Sequence, residues 1–214
     1  MDFELVNKAI IICAKRNSGK SYLCRYLVME NQGNFNEIFV VSLTEDYNNF
    51  YKSFVKTENI FTIFQNEWLE AFFQKLKNMA KTNNNKKICL ILDDCGSNID
   101  FKKNSVIESF YTLGRHINLT IIINAQYIYQ VSPAIRNNAD YIMIGQQNSQ
   151  ALELLADEYL YGTINRKEFK QLYHNSTTDY YFMVINTSSV RNISNLNLIY
   201  GKIKTPKEFM FKRL

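Results

Sequence analysis

An unbroken apolar run that gives way to a small-residue turn ending in Gly-Lys-Ser restricts this chain more than any other feature. Residues 9 to 21 read Ala-Ile-Ile-Ile-Cys-Ala-Lys-Arg-Asn-Ser-Gly-Lys-Ser. Continuous apolar residues suit a strand buried on both faces, and Ser21 to Glu30 carry a helical pattern, so the turn joins a parallel-sheet strand to a helix start. The first N–H groups of a helix have no intrahelical partner and point at whatever anion sits there. The spacing is that of a phosphate-binding loop, and its candidate nucleotide-binding residues are Ala14, Lys15, Arg16, Asn17, Ser18, Gly19, Lys20, Ser21 and Tyr22. Lys20 is expected to reach the β- and γ-phosphates and the Ser21 hydroxyl to hold Mg²⁺.

The loop departs from the pattern G-x-x-x-x-G-K-[ST] at its first position, where Ala14 replaces glycine. One methyl costs little unless φ must be positive there. Asn17 falls at the loop tip, and asparagine is among the few residues besides glycine that enter left-handed conformations cheaply. A chance Gly-Lys-Ser in a surface turn is the bland alternative.

A second apolar run, Ile88 to Asp94, reads Ile-Cys-Leu-Ile-Leu-Asp-Asp. A central parallel strand presents acids in this way at its C-terminal edge. Asp93 fits a metal or metal-water ligand, and Asp94 a group that orients and deprotonates an attacking water. Two adjacent carboxylates repel each other, and a Mg²⁺ ion bridging nucleotide phosphates would compensate them. A solvated Asp-Asp turn is the alternative for the pair taken alone.

The 214 residues suffice for one sizeable core, and both motifs lie in the first half. A single domain over 1–214 is expected, with a core at about 8–160 and a C-terminal extension at about 161–214. No apolar run approaches the roughly 18 residues that span a bilayer, and Met1-Asp2-Phe3-Glu4 is acidic where a secretory signal would be basic. The expected setting is intracellular. Cys13, Cys24, Cys89 and Cys95 lack C-x-x-C spacing and fall within or beside core elements, so they read as buried apolar residues. With only His116 and His174 available, most metallohydrolase schemes are excluded. The net charge of +5 permits contact with a polyanion. Its basic residues gather at Lys86-Lys87, Lys102-Lys103 and Lys202 to Arg213.

Strand-like runs recur at Ala9 to Cys13, Ile38 to Ser42, Ile60 to Phe64, Ile88 to Leu92, Leu119 to Asn124, Tyr141 to Ile144 and Tyr181 to Ile185. Helical patterns separate most of them. Between 67 and 80, Trp68, Leu69, Phe72, Phe73, Leu76 and Met79 recur at three- and four-residue steps, and Val106, Phe110 and Leu113 repeat the pattern over 105–114. Alternating β and α segments with fully apolar strands predict an α/β fold, a mostly parallel sheet with helices on both faces. Residues 180 to 203 read as a hairpin closing the sheet, connected through Asn186 to Asn195.

Residues 111 to 144 narrow the reading. They run Gly114-Arg115-His116, a strand ending at Gln126, then Tyr127 and Tyr129, Pro133, Ile135-Arg136, Asn138-Ala139-Asp140 and another strand. This order, with Leu92-Asp93-Asp94-Cys95, resembles the genome-packaging ATPases of poxviruses, giant viruses, virophages and Polinton-type elements, members of the FtsK/HerA superfamily of P-loop motors. The resemblance covers about residues 8 to 160. It implies an ATPase of homo-oligomeric ring form, pentameric or hexameric, that pumps double-stranded DNA into a capsid, with Mg²⁺ as cofactor and capsid protein as a further partner. It places the protein in host cytoplasm, viral factory or nucleus, or with the virion. By the same resemblance Gln126 is the polar sensor of the γ-phosphate, and Arg115 or Arg136 the arginine that a ring neighbour inserts, Arg115 being favoured because it just precedes the sensor strand. Lys20, Asp94, Gln126, Arg115 and Arg136 are thus the catalytic candidates, Ser21 and Asp93 the metal ligands. Lys102 and Lys103 are the DNA-gripping candidates, with Lys86 and Lys87 behind them.

Two other readings stay open. A catalytically weak nucleotide-binding scaffold in capsid assembly would follow if Ala14 abolished turnover. A small-molecule P-loop kinase shares the loop, although no arginine-rich lid is evident.

Overall fold

The computed structural model describes residues 4–98, 101, 104–159, 164–187 and 200–204. Its strands are β1 (Ala9–Cys13), β2 (Glu37–Ser42), β3 (Ile60–Phe61), β4 (Ile88–Asp93), β5 (Leu119–Ala125), β6 (Tyr141–Ile144), β7 (Tyr181–Asn186) and β8 (Tyr200–Lys204). They form a mixed, mostly parallel sheet in the order β3-β2-β4-β5-β1-β6-β7-β8. All pairs from β3 to β6 are parallel, whereas β6–β7 and β7–β8 are antiparallel. The α-helices are α1 (Lys20–Glu30), α2 (Glu45–Asn48), α3 (Asn66–Lys81), α4 (Ser105–Leu113), α5 (Pro133–Asn138), α6 (Ser149–Tyr159) and α7 (Arg166–Ser176). None of the described helices is long and apolar enough to cross a membrane.

Alternation along the strands divides the core into two layers, as a pleated sheet covered on both faces requires. Ile11 and Cys13 of β1 face one layer with Leu69, Phe72, Phe110, Leu155 and Phe169. Ile10, Ile12 and Ala14 face the other with Leu23, Leu27, Val28 and Tyr51. Among the described residues, the α1 side therefore carries the loop helix alone among long helices, while α3, α4, α6 and α7 cover the opposite face.

Three expectations need correction. The run at 60–64 pairs with β2 only at Ile60 and Phe61; Ile63 is solvent-exposed and Phe64 turns into the core, so the edge strand ends early. The buried stripe of α4 is Ile107, Phe110 and Tyr111, with Leu113 exposed and Val106 only packed at the margin. Phe110 and Tyr111 mark the true direction of that face. The sensor strand extends one residue further than the apolar pattern, to Ala125. The hairpin expected at 180–203 is present as the β7–β8 pair, and its connection at 188–199 lies outside the described residues.

Candidate active site

All parallel strands end at one edge of the sheet, where β1, β4, β5 and β6 release the residues that matter. The loop leaves β1 at Ala14, whose N–H bonds the Ala125 carbonyl at the end of β5 at 3.2 Å, and the Lys15 N–H bonds Gln146 O beyond β6 at 2.8 Å. These bonds fasten the start of the loop to strands on both sides. Asn17 has φ 61° and Gly19 φ 85°, so the loop turns through two left-handed residues before α1 begins. Asparagine and glycine are the types that accept this. Ala14 is fully buried and is not among the positive-φ residues, and its methyl sits against Gly145. A Cβ on Gly145 would lie 2.7 Å from that methyl and 2.9 Å from the Phe182 ring. The methyl that the loop pattern lacks at position 14 is thus accommodated by a missing one on β6's exit.

Lys20 is buried, and its ammonium donates to the Lys15 carbonyl across the loop at 3.2 Å. Beside it the Ser21 hydroxyl donates to Asp93 Oδ2 at 3.2 Å, which joins the first turn of α1 to the end of β4. Asp93 is 2% exposed. Its Oδ2 also accepts from the Tyr51 hydroxyl at 2.7 Å, while Oδ1 is buried without a hydrogen-bond partner. Burial and the neighbouring Asp94 push the Asp93 carboxyl above the usual carboxylate range, against the hydrogen bonds from Tyr51 and Ser21 and the polar Asn124 amide nearby. An orphaned buried carboxylate oxygen beside a serine hydroxyl is an oxygen-donor set that suits Mg²⁺.

Asp94 breaks the strand. With φ 54° it turns out of β4 and lines a cavity of about 940 Å³ together with Arg16 to Tyr22, Thr44, Phe50 and Asp93. Two neighbouring acids thus have different environments, Asp93 in the floor and Asp94 at the wall. Gln126, directly after β5, is half-buried, and its backbone is fixed by Gln130 Oε1 on the N–H and by the Gln147 amide on the carbonyl. It stands at the same sheet edge, although the wall of the cavity does not include it.

The two arginines lie in contrasting places. Arg115 is exposed in a 3₁₀ turn, Gly114–Ile117, that enters β5 from its N-terminal end. The length of β5, about 23 Å at 3.3 Å per residue, separates it from the loop of the same chain. Arg136 is 5% exposed and forms a two-pronged ion pair with Glu158 on α6 while donating to the Val131 carbonyl at 2.5 Å. In this structure the Arg136 guanidinium is engaged within its own chain, by Glu158 and the Val131 carbonyl. Lys86 and Lys87 precede β4, at the edge opposite the loop, and Lys86 pairs with Glu37 at 3.3 Å. They therefore do not stand beside the catalytic edge. Lys102 and Lys103 lie outside the described residues.

Four contributors escaped the sequence reading. Tyr51 is 1% exposed, and burial together with the Asp93 carboxylate holds its phenol protonated, so it acts as a donor. Glu45 is wholly buried and accepts from the backbone N–H groups of Tyr51 and Lys52 at 2.9–3.0 Å, which fixes Tyr51 in place. Asn124 stands opposite Asp93 in the β4–β5 register and donates to the Tyr51 oxygen at 3.4 Å. Gln147 ties the exits of β5 and β6 together through Gln126 O and Gln146 O. Asn124 alone had a visible signal, a polar residue inside the apolar run of β5.

A sequence profile described as "Poxvirus A32 protein" matches residues 4–198. Uncharacterized protein 075L of Invertebrate iridescent virus 6 is 30% identical over 186 residues, covering 86% of this chain and 72% of that one. Uncharacterized protein L437 of Acanthamoeba polyphaga mimivirus is 30% identical over 164 residues, 70% of this chain and 57% of its own length. Among solved structures, the genome packaging NTPase B204 of Sulfolobus turreted icosahedral virus 2, in complex with AMPPCP, superposes with a TM-score of 0.66 over 93% of this chain and 98% of its own, at 16% identity. B204 of Sulfolobus Turreted Icosahedral Virus, described as a DNA-packaging ATPase, gives 0.66 over 95% and 100% at 19% identity. At such identities the likeness to these structures is one of fold.

Proposed function

The chain belongs to the poxvirus A32 protein family of viral packaging ATPases, and on that footing we propose that it hydrolyses ATP in a homo-oligomeric ring to drive double-stranded DNA into a capsid. The observation that carries the catalytic part is the Ser21–Asp93 hydrogen bond at the base of the loop, with Asp94 turned separately into the cavity. That arrangement divides two adjacent carboxylates between two tasks.

Residues Lys15 to Ser21 would wrap the phosphates with backbone N–H groups, and Lys20 would exchange the Lys15 carbonyl for the β- and γ-phosphates. Ser21 and Asp93 would hold Mg²⁺, whose charge offsets that of the phosphates. Asp94 would accept a proton from the attacking water and keep it in line with the γ-phosphorus. Gln126 would report the state of the γ-phosphate to the β5 exit, and through Gln147 to β6 and α7, since Tyr173 of α7 accepts from the Gln147 N–H at 2.6 Å. Arg115 acts, on this reading, in a neighbour's site: it is exposed and too far from its own, and a planar, permanently charged guanidinium matches a loose phosphoryl transition state. DNA would be gripped through its phosphates, as a motor indifferent to sequence requires, with Lys102 and Lys103 as the proposed contacts. Capsid protein is the proposed docking partner, and the compartment is that of viral assembly.

The unstrained seat of Ala14 favours turnover over a purely structural role, because the loop keeps its shape around the extra methyl. Phosphate release from Mg²⁺-ATP, with and without long double-stranded DNA, tests the proposal. Stimulation by DNA that vanishes in Lys20→Ala is the expected result. Tight ATP binding by an assembled ring on DNA, with no phosphate release, would overturn it in favour of the scaffold, and stimulation by a nucleoside instead of DNA in favour of a kinase.

A further inference from the structure

The turn that leads into β7 is expensive for its sequence. Thr178 to Tyr181 form a tight turn closed by the Tyr181 N–H on Thr178 O at 3.0 Å, and both central residues are left-handed, Asp179 at φ 51° and Tyr180 at φ 60°. This is the pattern of a type I′ turn, which favours asparagine or glycine at its centre. Aspartate tolerates the first position, and an ion pair with Lys204 holds it. A bulky aromatic residue at the second position is a backbone outlier. Strain of this kind persists where the side chain is used.

Topology shows what lies within its reach. Because β7 runs antiparallel to β6, the turn emerges at the edge where the loop and the acids emerge. In the order β4-β5-β1-β6-β7 the acids stand two strands to one side of the loop and Tyr180 two strands to the other, each roughly 10 Å away at the usual strand spacing. Tyr180 is 55% exposed and lines the 940 Å³ cavity of the loop. It also lines an adjoining cavity of about 350 Å³ between Arg16 to Ser18 and Gln146. A nucleotide whose phosphates rest on the loop with the terminal one toward Asp94 has its base on the Tyr180 side.

Other aromatic residues at the cavity are placed differently. Tyr47, 89% exposed, follows β2, beyond the acid strand and so past the terminal phosphate. Tyr22 packs edge-on against Phe50, and the Arg25 guanidinium lies over both rings at 4.8 and 4.6 Å.

We infer that Tyr180 is the stacking platform for the nucleobase, and that the strained turn at Asp179–Tyr180 exists to hold its ring at the loop. The inference rests on the reading of residues 14–22 as the nucleotide loop. Gln146, exposed in the adjoining cavity, supplies an amide for the polar edge of the base.

Binding of ATP and of inorganic tripolyphosphate, which carries the phosphates without a base, separates the two claims. Titrations use the full chain as wild type, Tyr180→Phe, Tyr180→Ala and Tyr180→Gly. Tyr180→Phe should bind ATP as wild type does. Tyr180→Ala and Tyr180→Gly should lose about 5- to 150-fold in ATP affinity, the range of aromatic–base stacking, with tripolyphosphate affinity unchanged. Tyr180→Gly should also melt at a higher temperature than wild type, since glycine relieves the turn. Unchanged ATP affinity in Tyr180→Ala, or equal weakening of both ligands, would overturn the inference. Failure of the wild type to bind tripolyphosphate or ATP would overturn the loop reading beneath it.

Discussion

Replacing Tyr51 by phenylalanine removes one oxygen from the floor of the site and little else. The ring stays in the same packing, so no cavity opens, and the loss is the hydrogen bond of 2.7 Å to a carboxylate that is 2% exposed. Hydrogen bonds to charged groups contribute about 1.5–3 kcal/mol, and Asn124 Nδ2 loses its 3.4 Å acceptor as well. We expect about 2 kcal/mol of destabilisation with Asp93 ionised, and about 1 kcal/mol with it protonated. The sign of the pH dependence follows from linkage. Asp93 has a native pKa raised by burial and by Asp94, so its proton-linked stability is fully present below the ordinary carboxylate pKa and lost as pH rises through the native value. The Tyr51 donor counters that rise, and its removal lifts the native pKa further. The gap between variant and wild type should therefore be small in acid, widen as pH rises through the wild-type Asp93 pKa, and level off above the variant's. Urea unfolding across a pH series without divalent cations measures it, and thermal melts on the alkaline plateau should differ by roughly 4–8 °C. A gap that does not change with pH would refute the claim that Tyr51 acts on the Asp93 carboxylate.

Gly145→Ala should destabilise by about 1–3 kcal/mol through overpacking against Ala14 and Phe182, and adding Ala14→Gly should restore part of the loss; additive effects of the two changes in melts would contradict the contact. Arg136→Ala should cost about 1.5–3 kcal/mol by removing the charge-assisted hydrogen bonds to Glu158, whereas Arg115→Ala should leave the melting temperature in place and lower assembled-ring turnover by about 10³-fold; the reverse pattern would exchange their roles. Charge reversal at Lys102 and Lys103 should reduce DNA-stimulated phosphate release and flatten its dependence on salt, and unchanged stimulation would remove those residues from the DNA path.

The parts of the fold carried by continuous apolar runs were visible in the sequence because a strand buried on both faces has no polar side to hide. The ends of β1 and β6, and that of β4 to within one residue, could be located from that signal, and with them the loop and the acid pair. An edge strand lacks it, and Ile60 to Phe64 accordingly misled: apolar character there serves a turn into the core at Phe64. The phase of α4 failed for a related reason, since Leu113 is an apolar residue left in solvent and composition does not distinguish it from Phe110. Within the site, Ser21 and Asp93 were each singled out by their own motif as metal ligands, while the hydrogen bond between them and the parts played by Tyr51 and Glu45 were not foreseen. Tyr51 and Glu45 lie between β2 and β3, in the one-turn helix α2 and a 3₁₀ turn too short for a period to tell which side chain turns inward, and only the fold brings them within hydrogen-bond distance of β4 or of each other. Arg136 shows the opposite limit. Its place in a family-like motif invited a role at a neighbour's phosphate, and the half-buried carboxylate of Glu158 that pairs with it is 22 residues away in sequence.

A triplex-displacement assay tests the central claim most directly, because it reports movement along DNA as well as ATP turnover. The assembled protein would be mixed with a long duplex carrying a short third strand, and release of that strand followed with ATP and with a non-hydrolysable analogue. ATP-dependent release by the wild type, absent with the analogue and in Lys20→Ala and Asp94→Asn, is the predicted result. Robust ATP hydrolysis on DNA with the third strand left in place would contradict translocation.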